Sequence, residues 1–106
     1  DRWVKPSCML VCEDNYSNAH GTPWLYKEMG IGKLIGAPVP GTMTAVWWEN
    51  IGQYTFGIPQ VGTKDNRGNY LENQQLEPDI ECYVTPEDML RGVDTQIQAA
   101  VKELMK

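Results

Sequence analysis

Ser17 stands where an apolar run gives way to polar residues, in Asn15-Tyr16-Ser17-Asn18-Ala19-His20-Gly21, just ahead of a segment patterned as a helix. A hydroxyl leaving a buried strand at a helix N-terminus sits beside backbone N–H groups that have no partner within the helix. Those donors, with the positive end of the helix dipole, can hold a developing oxyanion. The physical logic is that of a nucleophile elbow, although the G-x-S-x-G pattern is absent. Read in isolation, the same Ser is a helix N-cap, the commoner use of such a position. His20, three residues on, is within reach of Ser17 on one helical turn; its plain reading is a polar residue of that first turn. Glu72, in Tyr70-Leu71-Glu72-Asn73-Gln74-Gln75, reads by itself as a solvated acid in a connection.

The elements that must position these groups follow from periodicity. Residues 8–12 (CMLVC) form a short continuous apolar run, as in a strand buried on both faces. Thr22-Pro23 is a helix start, with Thr22 as N-cap and Pro23 in the first helical position, or the helix begins as early as Asn18. Gly30 is its natural stop. Residues 33–36 are a short strand. A Pro/Gly-rich loop over 37–42 leads to a strand at 43–48 and another at 53–61, where Pro59 marks an edge or a bulge. Residues 65–69 form a turn, and 80–84 a last strand. Thr85-Pro86-Glu87-Asp88 opens one helix. A second, over 94–106, gathers Val93, Ile97, Ala100, Val101 and Leu104 on a face that needs a surface to cover. Of the neighbouring Trp47 and Trp48, a strand turns one inward and one outward, which points to core packing or an interface.

Composition narrows the function classes. The chain has 106 residues, 42% of them hydrophobic and 22% charged, with four Trp and five Tyr. That is the make-up of an ordinary folded protein, one domain or part of a larger one, and the order strand, helix, several short strands, helix, helix makes it mixed α/β. The net charge of -5 comes with scattered Lys and Arg, so a nucleic-acid footprint is not expected. No apolar run approaches a membrane span. The first residue is Asp1 rather than Met, and residues 1–6 already read as a run-up to the first strand; either a leader is removed or the piece is cut from a longer protein, and the cut is the favoured expectation. The odd cysteine count (Cys8, Cys12, Cys82) lacks metal-site spacing, and buried free thiols are expected. No cofactor or metal is implied.

In order and spacing these segments resemble the tricorn-like and C-terminal-processing serine peptidases. In that group a strand delivers Asn-Glu-Tyr, then Ser-Asp-Gly-Asp and a helix ending Leu-Gly-x-Gly-x-Leu-Ile-Gly. Here the text is Asp14-Asn15-Tyr16-Ser17-Asn18-Ala19-His20, with the helix ending Met29-Gly30-Ile31-Gly32-Lys33-Leu34-Ile35-Gly36. The group continues Glu-Asn-x-Gly-Val-x-Pro-Asp-Ile, Pro-Glu-Asp and Gly-x-Asp-x-Gln-Leu. This chain has Glu72-Asn73-Gln74-Gln75-Leu76-Glu77-Pro78-Asp79-Ile80, Pro86-Glu87-Asp88 and Gly92-Val93-Asp94-Thr95-Gln96-Ile97.

The resemblance implies that Ser17 is the nucleophile, that the Asn18 backbone N–H contributes to the oxyanion hole, and that Glu72 supports the catalytic machinery. The processing branch draws its Lys base from Thr-Phe-Gly-Lys-Gly. Here Val39-Pro40-Gly41-Thr42-Met43 puts Thr42 at that place, so the resemblance implies a His base of the tricorn kind from preceding sequence. His20 falls where the group has an acid, not the base. The implied fold is a crotonase-like β/β/α spiral, with residues 1–106 as the C-terminal half of the catalytic domain. The implied substrate is a peptide or unfolded protein, and the implied partners are the upstream half and further copies of the chain. The isolated chain is expected to be inert. The alternative is a non-catalytic binding or scaffolding relative, favoured by Asn18-Ala19-His20 and Thr42. The compartment is divided between the bacterial envelope, towards which the processing branch leans, and the cytosol of tricorn. Specificity determinants are expected largely outside these residues.

Overall fold

The computed structural model describes residues 4–106, so the run-up to the first strand falls in part outside the described residues. The elements are β1 (Cys8–Val11), α1 (Asn18–Glu28), β2 (Lys33–Gly36), β3 (Thr44–Ile51), β4 (Tyr54–Gly62), β5 (Ile80–Glu81), α2 (Pro86–Leu90) and α3 (Thr95–Leu104). The fold class is mixed α/β. A three-stranded sheet has the order β1-β2-β5, and β3 pairs with β4 in a separate ribbon. Both pairings in the sheet are parallel, with Met9 opposite Leu34 and Ile35 opposite Ile80. Parallel neighbours need long crossovers. α1 lies in the first, and the whole β3–β4 ribbon in the second.

Alternation along the strands assigns the two faces. Met9, Val11 and Leu34 point to one side, where they meet Tyr26 and Trp24 of α1 together with Val39 and Leu76. Lys33 has the opposite parity and pairs with Glu103 of α3. The sheet is therefore covered by α1 on one face and by α3 on the other. β1 is an edge strand whose Leu10 is exposed, so the expectation of burial on both faces is corrected. Cys8, Cys12 and Cys82 are free and half-buried.

α1 starts at Asn18, the earlier of the two expected boundaries, which places Pro23 inside the helix rather than at its first position. Pro23 has no N–H to give the carbonyl four residues back. That carbonyl, of Ala19, accepts instead from Asn15 Nδ2 at 2.8 Å. The Asn15 Oδ1 in turn accepts from the Cys12 amide at 3.1 Å, tying the end of β1 to the first turn of α1. At the far end Gly30, with φ of 61°, ends the helix where a side chain would be strained.

The last strand is shorter than the 80–84 expected, ending at Glu81. α2 is capped by Thr85, whose hydroxyl accepts from the Asp88 amide, and α3 by Asp94, which accepts from the Ile97 amide. The face of α3 turned to the sheet differs from expectation. Gln96, Ala99, Ala100 and Glu103 are half-buried, whereas Ile97, Val101 and Leu104 remain exposed. Gln96 Nε2 donates to the Cys82 carbonyl, and Glu103 bonds Lys33. These two polar links roll the helix away from its most apolar stripe. The β3–β4 ribbon is solvent-exposed along nearly its whole length, both Trp47 and Trp48 included, so neither is a core residue in this chain. The radius of gyration is 17.0 Å, against about 13 Å for a compact chain of this size.

Candidate active site

Ser17 immediately precedes α1 with φ 55° and ψ -112°. This lies close to the first central position of a type II′ turn, a region that Gly occupies without strain and Ser does not. Its side chain makes no capping hydrogen bond. The N-cap reading is thereby corrected: the residue occupies the cap position without capping. Its carbonyl accepts from the His20 and Gly21 amides, so the backbone turns sharply into the helix. Its own amide donates to Thr42 Oγ1 at 3.2 Å. Position 42, where the processing branch has its Lys, thus touches the Ser17 main chain. Among the hydrogen bonds of the described residues, none engages the amide of Asn18.

Glu72 comes from a distant connection yet faces the same space. Ser17, Thr42, Thr44 and Glu72 line one cavity of about 260 Å³, with Tyr16, Val46 and Pro59. Close contact between two loops puts the carboxylate there. Val39 and Leu76 exchange both backbone hydrogen bonds, and the Asn73 amide donates to the Gly41 carbonyl at 2.7 Å. Asn73 itself takes φ of 60° to make the turn. One carboxylate oxygen, Oε2, accepts from the Met43 amide and the Thr44 hydroxyl, each at 2.7 Å. The Thr44 hydroxyl first, then the Met43 amide, hold the Glu72 carboxyl below the usual range, and burial opposes them. It is a fixed, ionised group rather than a loosely solvated acid.

His20 is fully buried, and neither ring nitrogen has a hydrogen-bond partner. It lies on the first turn of α1, as its plain reading has it, and that turn faces inward. Burial lowers its pKa. The Glu72 carboxylate, and a Thr42 backbone group that faces the ring without closing a bond of normal geometry, pull the other way. His20 is therefore neutral near pH 7. Neither the burial of His20 nor the link from Thr42 to Ser17 was legible from spacing, because both depend on how the 37–43 loop folds back over α1.

A second cavity, of about 640 Å³, adjoins the first: it shares Tyr16, Ser17, Thr44, Val46 and Pro59 with it and extends past Asn18 along the base of the β3–β4 ribbon. Period two along residues 44–48 was the available signal for it, since Thr44, Val46 and Trp48 share one face. Among the described residues no cluster of His, Cys, Asp and Glu could hold a metal ion. Among the same residues no helix is long and apolar enough to cross a membrane.

The fold is one that peptidases use. The chain belongs to peptidase family S41, a family of serine peptidases whose family model matches residues 1–82. A curated Chlamydia pneumoniae protein is 29% identical over 98% of this chain, which spans 17% of that protein. The crystal structure of the tricorn protease superposes over 92% of the chain with a TM-score of 0.75 and 26% identity, and the chain spans 10% of it. The mature CPAF structure shares the fold over 96% of the chain, with a TM-score of 0.70 and 23% identity, and the chain spans 19% of it.

Proposed function

We propose that this chain carries the nucleophile side of a serine endopeptidase active site and that residues 1–106 are the C-terminal half of a catalytic domain of the crotonase-like β/β/α spiral type. Ser17 Oγ attacks the carbonyl carbon of the scissile peptide and gives its proton to a general base. The carbonyl oxygen becomes an oxyanion facing the Asn18 amide at the head of α1. Collapse of the tetrahedral adduct expels the amine, which takes the proton back from the base, and leaves an acyl ester on Ser17. Water then hydrolyses that ester. Glu72, ionised and held by Met43 and Thr44, fixes the polarity of the cavity and orients the machinery around the base. The base itself is a His supplied by sequence outside residues 1–106, so the isolated chain is inert. The small share of its relatives that the chain spans supports this division.

The observation that carries the reading is the backbone of Ser17, held at positive φ with its side chain free of capping. A residue kept in a strained conformation at a strand-to-helix junction signals a requirement beyond stability. The experiment is labelling of the full-length protein by a fluorophosphonate. Labelling is expected in the wild type and absent in Ser17→Ala. Labelling that persists in Ser17→Ala moves the nucleophile elsewhere. No labelling in the wild type favours the non-catalytic binding relative.

A further inference from the structure

The cavity on the Asn18 flank of Ser17 has a built floor. In the ribbon Trp48 lies directly opposite Gly57, and Val46 opposite Pro59, so these four residues share one face. A Cβ on Gly57 would come within 2.5 Å of Val46 Cγ1 and 3.1 Å of Trp48 Cζ3. The Val46 side chain and the indole therefore lie down over the bare glycine backbone, as aromatic rings do when they cover a strand glycine. Any side chain at position 57 would push them up into the cavity. Among the described residues its lining, from Tyr16, Ser17 and Asn18 to Met43, Val46 and Trp48, holds no Asp, Glu, Lys or Arg; the acid Glu72 lines the adjoining cavity. At about 640 Å³ it falls in the range of ligand pockets, roughly 300–1,000 Å³.

From this geometry we infer that the cavity is a specificity pocket, and that the peptide acylating Ser17 carries a large apolar or aromatic residue next to its scissile bond, seated on Trp48. The inference rests on the proposed nucleophile and goes beyond it by naming the substrate class. A charged side chain seated on this lining would give up part of its water without an opposite charge in the lining to replace it, and an acidic one would also face the ionised Glu72 of the adjoining cavity. An apolar side chain gains buried area and, if aromatic, ring contact with the indole. Because Ser17 and Asn18 form part of the wall, whatever fills the cavity lies within one residue of the attacked carbonyl.

Cleavage of a peptide library by the full-length protein tests this. Wild-type protein should prefer Phe, Tyr, Trp, Leu or Met over Ala or a charged residue beside the scissile bond by roughly tenfold or more, within the range that apolar pockets deliver. Trp48→Ala should reduce that ratio about tenfold, and Trp48→Phe should restore most of it. Fluorophosphonate labelling of each variant checks that its site is folded. If the wild type is labelled at Ser17 and the preference is unchanged in Trp48→Ala, or the preferred residue is charged or small, the inference is overturned and the nucleophile stands. If wild-type Ser17 is not labelled, the nucleophile reading fails and the pocket falls with it.

Discussion

At Ser17 the chain spends stability on geometry. Its positive φ places a non-Gly residue in a region that costs about 1–3 kcal/mol. Glycine would relieve that strain while adding roughly 0.5–1 kcal/mol of unfolded-state entropy. Ser17→Gly should therefore raise stability, by on the order of 1 kcal/mol in chemical denaturation, while removing fluorophosphonate labelling altogether. Ser17→Ala should lose the labelling without the gain. A Ser17→Gly variant less stable than Ser17→Ala would mean that the backbone is not strained there. The sequence made Ser17 legible as a residue at a strand-to-helix junction, and the text around it gave the resemblance. It did not reveal that the side chain leaves the cap unused, since capping and non-capping Ser residues differ only in backbone angles that no local motif here encodes. Glu72 was legible only through the resemblance. What fixes it, the Met43 amide and the Thr44 hydroxyl, comes from 28 and 29 residues away.

Between elements, the informative contact is that of α1 with the 37–43 loop, where His20 is buried without a partner. Its pKa is lowered from 6.5 by burial, so the folded state favours the neutral ring. The unfolded chain then binds the additional proton first as pH falls through about 6.5, and stability declines from there until the folded ring also protonates. Glu72 acts lower. Its folded pKa lies below 4.5, so its contribution is present above that value and is lost as pH falls through the folded pKa. Urea midpoints measured against pH should show both limbs in the wild type. His20→Leu should lack the upper limb and keep the lower. An unchanged upper limb in His20→Leu would assign it to another group. Of the elements themselves, β2, the start of α2 at Thr85-Pro86 and the turn at 65–69 were readable because local chemistry sets them. The Asp65 carboxylate, for instance, accepts from the Arg67 and Asn69 amides within its own turn. The orientation of α3 was not readable. Apolar periodicity favoured Ile97, Val101 and Leu104, but Gln96 to Cys82 and Lys33 to Glu103 are long-range links that periodicity does not contain.

Across the molecule, exposed apolar side chains are numerous on the ribbon and on the outer side of α3. The ribbon face turned away from Trp48 carries Trp47 opposite Ile58 and Ile51 opposite Tyr54, all exposed. Contiguous apolar patches are the kind of surface through which folded chains associate. The 106-residue chain on its own should self-associate in light scattering, and the double variant Trp47→Glu and Ile58→Glu should shift it towards monomer. A strictly monomeric wild-type chain at high concentration would count against that. The ribbon's location within the chain has a further consequence, for the order of assembly. It lies wholly inside the segment that must loop out before β5 can join β2. Hairpins close in about 1–10 μs from neighbours in sequence, whereas a parallel pairing waits on a long closure. Once Thr44 and Gly62 have met, the span left to close is much shorter, easing the step by a few tenths of a kcal/mol on a scale where each doubling costs about 0.6. The ribbon should thus be the first tertiary feature to appear in refolding and β5 among the last to dock, with the Glu72 loop, and so the acid side of the cavity, completed only at that final stage.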